Sequence, residues 1–138
     1  MKDLLQKAIE FATDKHKGQK YGDKPYITHP LAVLERVKKK TDSPFILAAA
    51  VLHDVVEDCN VNNYEIQDIF GHGVAEIVLF LTRTCVESYA DYIENIYDVR
   101  AARIVKIADL EENISNCTQE GQRHLKDKYE LALLYLRK

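Results

Sequence analysis

One histidine and three acids crowd the heptapeptide Leu52-His53-Asp54-Val55-Val56-Glu57-Asp58. Read as the end of a helix, spacings of three and four place Glu57 beside His53 and Asp54, and Asp58 beside Asp54. Three carboxylates leaving a buried segment repel one another unless something positive sits among them. A divalent metal held by imidazole and carboxylate meets that need. A chance His-Asp pair on an exposed last turn is the alternative. His53 and Asp54 supply two ligands at most, so two more must come from elsewhere. His29 stands just before Pro30, where a helix opens. Asp109 is a lone acid closing the apolar run Ile104-Val105-Lys106-Ile107-Ala108, where a buried carboxylate needs a partner. An ion pair with Lys106 would also satisfy it. Cys59 could be a soft ligand, but its hard oxygen neighbours favour a buried thiol. His16 reads as a structural histidine, and His72 and His124 as surface residues.

These groups need rigid carriers. Ser43 and Pro44 mark the start of a central helix over 44–58, with Ser43 as its N-cap and Phe45–Leu52 buried on most sides. Leu4, Leu5, Ala8, Ile9 and Ala12 predict a first helix over 3–16, capped by Asp3. Residues 17–28 read as a polar loop. Pro30, Leu31, Val33, Leu34 and Val37 give a second helix, and Lys38-Lys39-Lys40 its solvated end; phosphate binding by that run is the lesser reading. Asn62 and Glu65 form a capping box for a helix ending at Phe70-Gly71. Apolar spacings predict further helices over 73–83, from Tyr89, from Ala101, and after Gly121. No stretch alternates as a strand does. The expected fold is all-α, a single-domain helical bundle over 1–138.

Composition narrows the function. The chain has 138 residues, 46% of them apolar, with 19 basic and 22 acidic residues and a net charge of −3. There is no basic excess to release phosphate counterions, so no nucleic-acid partner is expected. Three cysteines, Cys59, Cys85 and Cys117, lack CxxC spacing and suit a reducing, cytoplasmic setting. Met1-Lys2-Asp3 leads into the amphipathic pattern without a signal-peptide core, and the longest apolar run is too short to span a bilayer. No repeat, low-complexity tract or linker is evident.

Five separated motifs carry a family resemblance: His16-Lys17-Gly18-Gln19, Pro25-Tyr26-Ile27-Thr28-His29-Pro30-Leu31, Leu52 to Asp58, Phe70-Gly71, and Val105-Lys106-Ile107-Ala108-Asp109 with Asn113. Their order and spacing, over about residues 4–117, resemble the hydrolase domain of RelA/SpoT-type HD phosphohydrolases, including small stand-alone alarmone hydrolases. The resemblance implies an HD-type bundle binding one Mn²⁺ ion through His29, His53, Asp54 and Asp109. It implies that Glu57 and Asp58 handle the nucleophilic water and that Asn113 contacts the nucleotide. The implied reaction removes the 3′-pyrophosphate of (p)ppGpp. The chain departs from the family where an Arg-Lys pair usually contacts guanine: Lys20-Tyr21 stands there. Cys59 replaces a usual threonine, Leu110 a basic residue, and Asn113-Ile114-Ser115 an Asn-x-Arg.

A metal site of this kind lowers the pKa of bound water, and Glu57 or Asp58 can take its proton. Lysines steady the phosphate charge, Lys20 foremost with Lys17 and Lys24 behind it. Tyr21 either stacks on a base or packs against Tyr26. Three functions compete: a Mn²⁺-dependent (p)ppGpp hydrolase, an HD phosphohydrolase acting on another nucleotide or phosphoester, and a nucleotide-binding module without turnover. The Glu57-Asp58 pair speaks against the third, because a pure binder needs no water-activating carboxylate. Oligomeric state is not legible.

Overall fold

A computed structural model describes residues 3–117 and 122–138. Helix α1 (Leu4–Lys15) starts where expected, with the Asp3 carboxylate accepting from the Gln6 amide at 2.7 Å. A two-residue hairpin follows, β1 (Lys20–Tyr21) antiparallel to β2 (Lys24–Pro25), with Tyr21 opposite Lys24. This corrects the reading of 17–28 as strandless loop. Strands this short leave no alternation to detect. Gly22 turns the hairpin at φ 65°, a left-handed conformation that glycine adopts at least cost.

Helix α2 (Thr28–Lys38) begins before Pro30, because His29 donates to the Tyr26 carbonyl and Leu31 to that of Ile27. Pro30 therefore falls in the first turn, where its missing N–H is not needed. Helix α3 (Pro44–Leu52) is the core of the bundle. Ala48, Ala49, Ala50, Val51 and Leu52 are wholly buried. Their mostly small side chains let α1, α2, α6 and α8 pack closely around α3. Ser43 holds the N-cap position, but its hydroxyl makes no capping bond.

The expected helix over 44–58 is broken. It stops at Leu52 and resumes as α4 (Val55–Asp58). The His53 ring places Nδ1 2.6 Å from the Ala50 carbonyl, and Asp54 sits at φ −102°, ψ −4°, between helix and turn. The break aims both residues into the bundle.

Asn62 caps α5 (Asn63–Phe70), accepting from Glu65 at 2.9 Å, and Gly71 ends it. Helices α6 (His72–Leu81), α7 (Tyr89–Tyr97), α8 (Arg100–Ser115) and α9 (Arg123–Leu136) complete the described bundle. The Gly121 start signal for the last helix lies outside the described residues. Helix α8 packs against α2, α3, α6, α7 and α9, and carries the remaining site residues. Among the described residues no helix is long and apolar enough to cross a membrane.

Candidate metal centre and active site

His29 near the start of α2, His53 and Asp54 at the break after α3, and Asp109 in α8 converge. Each offers one ligand atom, all within 4.8 Å of one another. His29 Nε2 and His53 Nε2 lie 2.8 and 3.2 Å from Asp109 Oδ1. They lie 3.8 and 3.1 Å from Asp54 Oδ2. His29, His53 and Asp109 are only 3–4% exposed. Ligands bound to one first-row divalent ion stand roughly 3–4 Å apart, so the four residues fit such an ion. The Ala50 carbonyl beside His53 Nδ1 orients the ring and directs Nε2 to the cluster. Two of the four candidate ligands come from one heptapeptide; the fold brings in the other two from α2 and α8.

Asp109 satisfies both explanations for its burial. Its Oδ1 faces the imidazoles, while Oδ2 accepts from Lys106 Nζ at 2.9 Å. Burial disfavours the Asp109 carboxylate, but Lys106 and His53 outweigh it and hold its pKa well below the usual range. Burial likewise opposes charge on His53, and Asp54 and Asp109 override it, raising the imidazole well above its ordinary value. A metal ion binds the neutral imidazole and so competes with a proton for Nε2. The raised pKa means that protons compete up to a higher pH than at an ordinary histidine. Metal affinity should therefore fall as pH falls, by about tenfold per unit below the His53 pKa. Titration calorimetry across pH, in buffers of different ionisation heat, measures the affinity and the released proton. A flat affinity with no proton release would remove His53 from the ligands.

The family model described as HD domain matches residues 8–129. A Danio rerio protein named guanosine-3′,5′-bis(diphosphate) 3′-pyrophosphohydrolase MESH1 is 33% identical over 132 residues, covering 86% of this chain and 73% of its own. The Xenopus tropicalis protein of that name is 36% identical over 132 residues, with the same coverage. The chain belongs to the HD-domain (p)ppGpp 3′-pyrophosphohydrolase family. It is accordingly a metal-dependent phosphohydrolase. A Spiroplasma citri pyrophosphohydrolase is 33% identical over 80% of this chain, but only 16% of its own length is matched. The solved structure of a metazoan SpoT ortholog, described as hydrolysing ppGpp, superposes with TM-score 0.84 over 99% of this chain and 86% of its own, at 22% identity. That likeness bears out the all-α HD-type bundle.

In this HD-domain chain Glu57 and Asp58 are exposed and lie within electrostatic reach of Asp54. The Glu57 carboxylate accepts the backbone N–H of Arg83, in the connection from α6 to α7. Burial and then the Asp54 charge raise Asp58; burial also raises Glu57, against the pull of the Arg83 N–H. Raised carboxylates are better proton acceptors near neutral pH. The helix break means that Glu57 reaches this place from its own short α4 rather than along one continuous helical face.

Tyr21 does not stand free. Its ring stacks on His29 (4.6 Å, 19°), meets Tyr26 edge-on (5.9 Å), and its hydroxyl donates to Asn113 Oδ1 at 2.6 Å. Burial, then Asp109 and Glu112, push the Tyr21 hydroxyl up to about 12. Of the two expectations for Tyr21, packing against Tyr26 is the one seen. Asn113 also donates to Asp109 Oδ1 at 3.4 Å, which places it against the cluster. Lys20 is exposed on the hairpin, as are Lys17 and Lys24. A cavity of about 620 Å³ opens beside Tyr21 and Asn113, bounded further by Asn116, Gln122 and Tyr129.

His16 is buried and structural: its ring stacks on Tyr26, and Nδ1 faces Gln19 and the Cys59 thiol. Cys59 stands outside the cluster of ligand atoms, as a partly buried free thiol. His72, His124 and Lys38–Lys40 are exposed.

Sequence reasoning missed Tyr26, whose hydroxyl donates to Asp54 Oδ2 at 2.8 Å. Nothing in spacing links residues 26 and 54; only the hairpin brings them together. A partner of this kind orients a ligand carboxylate. Tyr26→Phe should weaken metal affinity by about 10- to 100-fold while the helical signal is kept. A metal titration matching the parent would show that Asp54 is oriented without it.

Proposed function

We propose that the chain, as one HD phosphohydrolase domain over 1–138, removes the 3′-pyrophosphate of (p)ppGpp with a bound Mn²⁺ ion. The observation that carries the reading is the His29-His53-Asp54-Asp109 cluster, with Glu57 and Asp58 near Asp54 and the Tyr21–Asn113 cavity adjoining Asp109. Those four residues would hold the ion, which supplies Lewis acidity at phosphorus and a lowered pKa for water. Glu57 or Asp58 takes a proton from the attacking water. The water oxygen bonds to the proximal 3′-phosphorus, the bond from phosphorus to O3′ breaks, and O3′ receives a proton. The products are pyrophosphate and GDP or GTP. Lys20 would neutralise phosphate charge with Lys24, which lines the cavity; Tyr21 covers His29, and Asn113 would meet the nucleoside. The cavity volume suits a small-molecule site of about 300–1,000 Å³.

One observation favours a second reading, a related nucleotide as substrate. Tyr21 occupies Asn113 Oδ1, leaving that oxygen committed within the protein. Lysine at 20 offers a point charge where arginine would offer a planar fork. Discrimination among bases should therefore be weak. Hydrolysis of ppGpp compared with its adenine analogue, GTP, ATP and NADPH tests this. The double change Lys20→Arg, Tyr21→Lys should raise the guanine preference in kcat/KM by about 5- to 150-fold, the equivalent of one bidentate contact. An unchanged preference would move base reading to Asn113 and Asn116. Turnover of another nucleotide but not ppGpp would establish the second reading.

A further inference from the structure

Next to Asp109 of the cluster, three cations gather around two tyrosines. Lys128 Nζ lies 4.1 Å from the centre of the Tyr89 ring, and Arg83 Cζ lies 5.5 Å from it. Tyr92 is 6.0 Å from Tyr89, centre to centre, with Lys106 Nζ 5.2 Å away. Lys106 spends one donor on Asp109 and keeps others. Among the described residues, neither Arg83 nor Lys128 pairs with a carboxylate. The Tyr89 hydroxyl is buried and has no hydrogen-bond partner among them. Burial first, then the neighbouring charges of Arg83 and Lys106, depress the Lys128 pKa. The face of α8 orders the parts. Asn116, Asn113, Asp109 and Lys106 recur at three and four residues, so the helix presents cavity, metal cluster and cation in that sequence.

We propose that Arg83, Lys106, Lys128 and the Tyr89 hydroxyl form an anion subsite for the distal phosphate of a pyrophosphoryl group whose proximal phosphate reacts at the metal cluster. Lys106 touches both places, Asp109 of the cluster at 2.9 Å and the ring of Tyr92 beside Tyr89, so a ligand with two linked phosphates could use the cluster and the cations together. An anion there relieves the repulsion among the cations and gives the buried hydroxyl a partner. Arg83 would then serve both ends, with its backbone N–H on Glu57 and its guanidinium at the phosphate. The identity of the reacting group rests on the (p)ppGpp reading; the subsite itself does not.

Binding of inorganic pyrophosphate and of orthophosphate to the metal-loaded chain, measured by calorimetry, tests the subsite without turnover. The parent should prefer pyrophosphate. Lys128→Gln and Arg83→Gln should each weaken pyrophosphate by about tenfold or more and leave orthophosphate and metal content unchanged, whereas exposed Lys40→Gln should change neither. Lys128→Arg should restore most of the loss. Equal binding of the two anions by the parent, or parental pyrophosphate binding in both variants, would overturn the subsite. A chain that binds pyrophosphate through Lys128 but does not hydrolyse ppGpp would uphold the subsite and refute the substrate reading. A chain that hydrolyses ppGpp, with pyrophosphate binding insensitive to both variants, would do the reverse.

Discussion

Asp109→Ala should strip the metal from the protein, taking occupancy from about one ion per chain to near none. The carboxylate is the shared partner of four groups: His29, His53 and Asn113 face one oxygen, and Lys106 the other. Removing it leaves Lys106 charged, largely buried and unpaired, beside an imidazole that has lost one of its two acids. Breaking a buried pair in this way costs about 3–5 kcal/mol of stability. The bundle keeps its core through α3, so the helical signal should survive at low temperature while the melting temperature falls. Metal analysis and thermal melts on parent and variant check both parts. Normal metal occupancy in Asp109→Ala would remove Asp109 from the centre.

Glu57→Gln separates chemistry from binding. The amide keeps an oxygen that can accept the Arg83 N–H, so α4 and its connection should stay in place. What is lost is a proton acceptor. The expected result is a kcat lower by about a hundredfold or more, with metal content unchanged. Asp58→Asn is the companion variant, because both carboxylates lie within electrostatic reach of Asp54 and both have raised pKa values. Full turnover in each would end the role assigned to the pair.

Much of this site could be read from residue types, and the exceptions have physical reasons. His53 and Asp54 were legible because two ligand types in an apolar segment demand a partner. Asp109 was legible for the same reason, and its ion pair with Lys106 turned out to be compatible with the cluster. The helix break between Leu52 and Val55 was not legible. Its cause is the close approach of the His53 ring to the Ala50 carbonyl and the pull of a convergent cluster, neither of which leaves a pattern in composition. The hairpin at 20–25 was hidden by its brevity. Tyr26 lies 28 positions from Asp54, and Lys128 is on a different helix from Tyr89, so only tertiary packing brings these pairs together; Arg83 meets Tyr89 from the connection just before α7. Helix boundaries shifted by small amounts, as at Thr28, where a local turn bond extends the helix ahead of its proline.

The most direct measurement of the account is product analysis of ppGpp incubated with the purified chain, metal-free and then reloaded with Mn²⁺, alongside Glu57→Gln. The reloaded parent should give GDP and pyrophosphate in equal amounts, the metal-free protein almost none, and the variant a rate about a hundredfold lower at unchanged metal content. Intact ppGpp after incubation with the Mn²⁺-loaded parent, or release of single phosphate in place of pyrophosphate, would contradict it.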